Sequence, residues 1–206
     1  MKGDTQLNKS KFVLILLLAH CLISISFFAS QYFWTFFPIT MVLLSFVAWR
    51  GWSDTNNFTV KGIFIGLISG FILYSFFFLS YILIKEWFPY FMPFIIDLYN
   101  VVGPTQFWHF FMLTIIIIPG EEIFWRGYVQ EKLSLFFSSK WSKITVASIL
   151  YGVAHIWTGN PMLIAAAIAG GLFWGFLYYW KKNIYIVILS HYTFNLFLLI
   201  LLPLTF

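Results

Sequence analysis

The chain has 206 residues, of which 61% are hydrophobic and only 9% are charged, a composition that excludes a soluble domain because no core of this size could bury so much apolar surface. Its apolar runs are continuous and about 20 residues long, which excludes an outer-membrane barrel with its alternating strands. The net charge of +5 does not indicate a nucleic-acid partner, since the basic residues are scattered over short loops. We therefore predict an all-α, polytopic transmembrane helical bundle that forms one integral membrane domain, residues 1–206.

The N-terminus resembles a signal peptide in its polarity, with Lys2, Lys9 and Lys11 ahead of the first apolar run. This run is longer than a usual signal-peptide core, and no small-x-small cleavage site follows it. We expect it to be retained as the first membrane helix. The single cysteine, Cys21, permits neither an internal disulfide nor a cysteine ligand cluster.

About seven apolar stretches are predicted to cross the membrane, with six and eight as the neighbouring alternatives. They comprise residues 12–30, 33–49, 62–84, 107–135, 141–157, 161–180 and 184–202. A loop with Arg50, Asp54 and Lys61 joins the second span to the third. The connection from the third span to the fourth contains Lys85, three prolines and several aromatic residues, which predicts an interfacial, partly helical segment.

The positions of Lys and Arg indicate the orientation of the bundle. With the N-terminus in the cytoplasm, only Lys85 lies outside and only Arg126 lies deep within a span, because Lys132 and Lys143 are at the inner ends of theirs. The other basic residues then all lie on the inner side: Lys2, Lys9, Lys11, Arg50, Lys61, Lys132, Lys140, Lys143, Lys181 and Lys182. We expect the plasma membrane of a prokaryotic cell, with the N-terminus cytoplasmic.

Two spans carry small residues at every fourth position, on one helix face. The residues are Gly62, Gly66 and Gly70 in the third span and Ala167, Gly171 and Gly175 in the sixth. Small side chains on one face allow two helix backbones to approach closely. Packing within the bundle is the favoured interpretation, and a homodimer through Gly62, Gly66 and Gly70 is the alternative.

The middle of the fourth span carries three charged residues, Glu121, Glu122 and Arg126. Charges at membrane depth are costly, which indicates a functional site that faces the bundle interior. Glu122 and Arg126 are four residues apart, a spacing that predicts a supporting ion pair on one helix face. Glu121 points about 100° away from Glu122 and has no such partner. Pro119 removes a backbone donor just before the carboxylates and is expected to bend the helix.

Polar residues from two other spans are predicted to reach the same depth. Counted from the lysines at the inner boundary, Glu121, His155, His191 and Asn195 lie roughly 14 to 20 Å into the membrane at the usual helical rise. A desolvated Glu121 suits a general base that takes a proton from water, which His155 can orient. His191 and Asn195 can donate to the oxyanion of a peptide carbonyl under attack. His20 and His109 lack companions at this depth and are expected to be structural.

Three motifs occur in one order: Glu121-Glu122-x-x-x-Arg126-Gly127, Tyr151-x-x-x-His155 and His191-x-x-x-Asn195. They resemble the signature motifs of the CAAX prenyl protease and bacteriocin-processing family, also called the CPBP or Abi family. The resemblance covers residues 114–198, which would form the catalytic core.

The resemblance implies an intramembrane endopeptidase of the glutamic type that acts on a membrane-associated or processed peptide or protein. Carried over by position, Glu121 and His155 activate the water, while His191 and Asn195 lie on the oxyanion side. The chain departs from the family at Tyr151, where Phe is usual, so a hydroxyl is added to the site. The family usually has eight spans, one more than the count above.

Two alternatives remain open at this point. In the first, Glu121, His155 and His191 bind Zn²⁺, which activates the water in place of the glutamate. No H-E-x-x-H spacing is present, so each ligand would come from a separate helix. In the second, the chain is a non-catalytic membrane partner, such as a bacteriocin-immunity or chaperone-like protein.

Overall fold

The computed structural model describes residues 2–49 and 59–205, which form eight helices and short turns, with no strand in these ranges. The helices are α1 (Lys2–Phe28), α2 (Phe33–Trp49), α3 (Val60–Trp87), α4 (Met92–Val102), α5 (Phe107–Leu135), α6 (Lys140–Val153), α7 (Pro161–Lys181) and α8 (Ile184–Leu201). The predicted all-α bundle is confirmed. Arg50 and Asp54 of the predicted loop lie outside the described residues.

Six of these helices are long and apolar enough to cross a membrane: α1, α2, α3, α5, α7 and α8. The predicted fifth span corresponds to α6, which ends at Val153 rather than at residue 157. A 14-residue helix is about 21 Å long, shorter than the ~30 Å hydrocarbon core. The helix ends early because the chain must turn into α7, and Gly159 supplies the positive φ of 65° in that turn.

The connection between α3 and α5 is partly helical, as the sequence predicts. It contains a short turn at Pro89–Phe91 and helix α4, with Trp87 and Tyr90 exposed. Tyr99 of α4 donates its hydroxyl to the carbonyl of Leu198 at 2.8 Å. It also accepts the backbone N–H of Leu204 at 2.9 Å. These bonds attach the connection to α8, beside the interior of the bundle.

The glycine face of α3 packs inside the chain. Gly62, Gly66 and Gly70 are buried, and each lies against a residue of α8. A Cβ atom at Gly66 would approach the side chain of Leu189 to 2.9 Å. The structure therefore has the favoured packing within the bundle, and this chain's own α8 occupies the face through which a dimer was the alternative. The ladder of α7 is also internal, since Gly171 lies against Ser148 of α6.

Replacement of Gly70 by alanine is expected to destabilise the protein by about 1–3 kcal/mol, the usual cost of overpacking. The added Cβ would collide with the carbonyl oxygen of Ser190 and the side chain of Thr193. Chemical unfolding in detergent micelles measures the change. Gly127→Ala is the matched control, because a Cβ there meets nothing within 4 Å; equal stability of the two variants would contradict the packing argument.

Several predicted inner-side basic residues gather at one end of the bundle. The Lys182 ammonium pairs with Glu131 at 2.6 Å, which joins the end of α7 to the end of α5. Lys9 of α1 lies over the ring of Phe136 at 5.2 Å, and Lys140 of α6 lies over Tyr179 of α7 at 5.0 Å. The contacts place these lysines at one end of the molecule, as the predicted topology requires.

Candidate active site

Helix α5 departs from regular α geometry on both sides of the two glutamates. Wide π-type turns cover Met112–Ile117 and Ile123–Gln130, and a short α-helical stretch, Ile118–Glu122, lies between them. Pro119 is the second residue of this stretch and lacks the N–H that a regular helix needs. The irregularity expected at Pro119 thus takes the form of flanking wide turns, a feature that recurs at functional sites.

Gly120 allows α2 to approach the carboxylates closely. A Cβ at this position would lie 2.8 Å from the Cβ of Met41 in α2. Because the glycine lacks that atom, α2 packs directly on the short helical stretch. Glu121 and Glu122 are consequently buried, with 7% and 0% of their surfaces exposed.

The ion pair predicted between Glu122 and Arg126 is present, with 3.2 Å between Arg126 Nε and Glu122 Oε2. The prediction was incomplete, because the other Glu122 oxygen accepts from Nδ1 of His191 at 2.7 Å. The Arg126 guanidinium lies over the rings of Tyr151 and Trp174, at 5.0 and 5.4 Å from their centroids. Glu122 therefore also fixes a residue of the proposed oxyanion side.

Glu121 faces α6 instead. Its Oε1 atom accepts a hydrogen bond from the Tyr151 hydroxyl at 2.7 Å. Its second oxygen, Oε2, makes no hydrogen bond in the part of the chain that the structure describes. Phe is usual at this position in the family that the motifs resemble. The Tyr151 hydroxyl, which Phe lacks, thus bonds directly to Glu121.

His155 lies just beyond the end of α6, which is at Val153. Its predicted depth assumed a continuous helix, and this assumption was wrong for the residues after Val153. Its Nδ1 is 2.9 Å from the backbone carbonyl of Tyr151. A carbonyl can only accept, so Nδ1 carries the proton and Nε2 is left as an acceptor when the ring is neutral. Phe27 of α1 packs against the imidazole at 5.2 Å between ring centroids.

A cavity of about 150 Å³ brings the four predicted site residues together: Glu121, His155, His191 and Asn195 all line it. Tyr151 and Trp174 also line it, and the Trp174 ring stacks on His191 with centroids 3.9 Å apart. The remaining wall is mostly apolar and includes Phe27, Phe33, Phe37, Leu113, Ile117 and Phe194. A cavity with mostly apolar walls and a few polar side chains is the usual form of a substrate-binding site.

Sequence reasoning missed the contribution of Trp174. A Cβ at Gly170 would lie 2.8 Å from the Trp174 ring, so the small residues of α7 leave room for this indole beside His191. The available signal in the sequence was a bulky aromatic residue, Trp174, one helical turn after Gly170 and Gly171. Its Nε1 also donates to the Ser190 hydroxyl at 3.2 Å, which links α7 to α8.

A second cavity, of about 310 Å³, adjoins the first. Its wall is apolar and is formed by α3, α4, α7 and the end of α8. The two cavities share the lining residues Phe77, Leu98, Val102, Ala166, Leu198 and Leu199. The two cavities therefore adjoin along an apolar wall, and Glu121 lines the smaller one.

The other two histidines make structural contacts, as expected. His109 stacks on Trp34 with 4.3 Å between ring centroids, and its Nδ1 accepts the backbone N–H of Thr105 at 3.1 Å. His20 spans α1 and α6 through the carbonyls of Leu16 and Leu150, at 2.8 and 3.1 Å. Across the described ranges, no three His, Cys, Asp or Glu side chains are arranged to hold a metal ion.

Comparison with known proteins agrees with the motifs. Residues 103–197 match the family model described as type II CAAX prenyl endopeptidase Rce1-like. No curated protein and no solved structure matches the chain. The matched segment contains all three motifs and the cavity residues Glu121, Tyr151, His155, His191 and Asn195. It also contains α5, α7 and most of α8, which are long and apolar enough to cross a membrane. Residues 103–197 are therefore similar to type II CAAX prenyl endopeptidases, in agreement with the resemblance that the three motifs carry.

Proposed function

We propose that the chain is an endopeptidase that hydrolyses a peptide bond inside the membrane with a water molecule activated by Glu121 and His155. The observation that carries this proposal is the shared cavity, where Glu121, His155, His191 and Asn195 meet from three separate parts of the fold. A carboxylate, an acceptor imidazole and two hydrogen-bonding groups around one space are the components that amide hydrolysis needs.

In the first step, the water donates one proton towards Glu121 and the other towards Nε2 of His155. Tyr151 already occupies Oε1 of Glu121, so Oε2 is the oxygen that takes the proton. The oxygen of the water then forms a bond to the carbonyl carbon, and the carbonyl π electrons move to its oxygen. Glu121 is now a neutral carboxylic acid.

The resulting oxyanion is stabilised by donors on the opposite side of the cavity. Asn195 donates from its side-chain amide, and His191 donates through Nε2. Because Nδ1 of His191 donates to Glu122, donation through Nε2 requires an imidazolium with both nitrogens protonated. Glu122 accepts from one edge of this ring, and the Trp174 indole stacks on its face. The intermediate then collapses as the C–N bond breaks, and the Glu121 proton passes to the leaving amine.

The adjoining apolar cavity supports a prenylated substrate. Its walls are almost entirely apolar and carry no charged side chain among the described residues, with hydroxyls only at Ser80, Tyr81 and Tyr99. They suit an isoprenoid chain, which is entirely apolar, better than a charged one. The family model describes CAAX prenyl endopeptidases, which cleave after a prenylated cysteine near a C-terminus. We propose that the prenyl chain lies in the apolar cavity and the scissile bond in the polar one.

The direct test is cleavage in proteoliposomes of a CAAX peptide with a farnesylated cysteine, and of the same peptide without the lipid. The proposal predicts release of the last three residues from the farnesylated peptide by the wild-type protein and none by Glu121→Gln. Cleavage of both peptides at equal rates would refute the prenyl assignment while keeping the protease. If neither is cut, a comparison of protein termini in cells that express wild type or Glu121→Gln identifies other substrates; identical termini would favour the non-catalytic partner.

The zinc alternative has a separate test. Because Nδ1 of both histidines and Oε1 of Glu121 already face protein groups, a shared ion would have to use the remaining atoms, and the described residues do not form such a cluster. We expect turnover to be unchanged after treatment with a strong chelator and removal of the metal. Loss of activity that added Zn²⁺ restores would instead support the metalloprotease.

Tyr151→Phe is expected to lower kcat about tenfold and to leave KM nearly unchanged. The loss follows from a hydrogen bond to a charged group, which contributes about 1.5–3 kcal/mol, while Phe keeps the ring that supports Arg126. Steady-state kinetics on the peptide above measure both constants. Tyr192→Phe is the control, since that hydroxyl donates to the Thr114 carbonyl and not to the site; an equal loss there would contradict a specific role for Tyr151.

A further inference from the structure

A third cavity, of about 330 Å³, lies at the lysine-rich end of the bundle, among α1, the end of α2 and the end of α5. It is distinct from the catalytic chamber and shares no lining residue with it. Its polar walls come from Asn8, Lys11, Tyr128 and Lys132. The proposed proteolysis uses none of these residues.

The polar groups of this cavity are mainly hydrogen-bond donors. Lys11 and Lys132 come from different helices, and neither forms an ion pair in the described part of the chain. Tyr128 is only 7% exposed, and its hydroxyl lacks a hydrogen bond among the described residues. Among the described residues, no acidic side chain lines the cavity. A ligand with a negative charge and several acceptor oxygens would satisfy all of these groups.

The rest of the wall is apolar. Ile15 of α1 and Phe46 of α2 line it, and both belong to helices that are apolar enough to span a membrane. A free phosphate ion would leave this surface without a partner, whereas a phospholipid brings acyl chains that can cover it. Basic cavities between membrane helices at the cytoplasmic boundary are typical lipid-headgroup sites.

We infer that this cavity binds the phosphate headgroup of an anionic phospholipid, with Lys11, Lys132 and the Tyr128 hydroxyl on the phosphate oxygens and the acyl chains along α1 and α2. The predicted orientation places this end of the bundle at the cytoplasmic leaflet, where anionic lipids are concentrated. Tyr128 lies on α5, the helix that carries Glu121 and Glu122. A bound lipid would therefore hold the end of that helix in place.

The test is lipid binding to the full-length protein in detergent, detected as discrete adducts by native mass spectrometry with phosphatidylglycerol or phosphatidylcholine as the probe. We expect one strongly preferred phosphatidylglycerol site. Lys11→Gln with Lys132→Gln should weaken it about 25-fold, because each lysine at an anionic surface contributes about fivefold. Tyr128→Phe, which keeps the packing, should weaken it about tenfold through loss of a bond to a charged group.

Lys140→Gln with Lys181→Gln is the matched control, since it removes two charges from the same end, outside the cavity. This double variant should retain the preferred adduct. Equal weakening in both double variants would mean diffuse surface attraction and would overturn the site. Inorganic phosphate as a second probe separates the two sources of the same chemistry. If it displaces the lipid at equal concentration, the ligand is a soluble phosphate and the lipid assignment is wrong.

Discussion

Glu121→Gln is expected to lower the rate of peptide cleavage by at least about 10³-fold, within the range that general-base catalysis supplies. The amide keeps the size of the side chain and can still accept from the Tyr151 hydroxyl. It cannot accept the proton of the attacking water, so only the chemical step is lost. Single-turnover cleavage in proteoliposomes measures the rate, and the unfolding midpoint of the purified variant reports its stability.

The control for this prediction is the stability of the variant itself. Neutralisation of a carboxylate that is 7% exposed and forms no ion pair among the described residues is expected to leave the fold intact or slightly stabilised. An inactive but well-folded variant supports the general base. Cleavage within a few fold of the wild-type rate would show that another group activates the water, and the glutamic mechanism would have to be abandoned.

Arg126→Met is expected to destabilise the protein by about 3–5 kcal/mol, the usual cost of removing one partner from a buried ion pair. Glu122 is fully buried, with 0% exposed, and would lose its arginine partner and retain only the hydrogen bond from His191. The variant also loses the cation–π contacts of the guanidinium with Tyr151 and Trp174. Chemical unfolding in micelles measures the change in the free energy of unfolding.

A double variant separates charge from packing. Glu122→Gln together with Arg126→Met removes both charges and keeps an oxygen that can accept from His191. It should recover part of the lost stability, since a neutral pair of similar volume is often as stable as a buried ion pair. If the double variant is no more stable than Arg126→Met alone, the loss comes from the packing of the guanidinium and not from an uncompensated carboxylate.

The two predictions assign opposite consequences to two residues of the same helix, Glu121 and Arg126. Glu121 is expected to be dispensable for stability and essential for turnover. Arg126 is expected to be essential for stability, and it contacts the site through Glu122 and the ring of Tyr151. This difference arises from helix geometry. Glu121 and Glu122, the partner of Arg126, are adjacent on the helix, so they point about 100° apart and meet different helices.

Much of the fold follows from local properties of the sequence. Apolar length predicted the six long helices, because a helix must satisfy all its backbone hydrogen bonds within the hydrocarbon core. The spacing of Glu122 and Arg126 predicted their ion pair, because residues four apart are neighbours on a helix. The end of α6 was predicted four residues too late, at residue 157 instead of Val153. The turn at Gly159 interrupts an apolar run that hydropathy alone treats as continuous.

By itself, the sequence determined the class of protein, the helical phase of the charged residues and the set of polar side chains at one depth, since each of these depends on composition or on periodicity along one helix. Only the tertiary structure decided which groups meet. The bond from Tyr151 to Glu121, the bond from His191 to Glu122 and the stacking of Trp174 on His191 all join different helices. The rotation of each packed helix about its own axis sets these contacts. The depth of a residue in the membrane does not. The same packing placed the glycines of α3 against α8, because close approach of two backbones depends on the facing helix as well as on the small residues themselves.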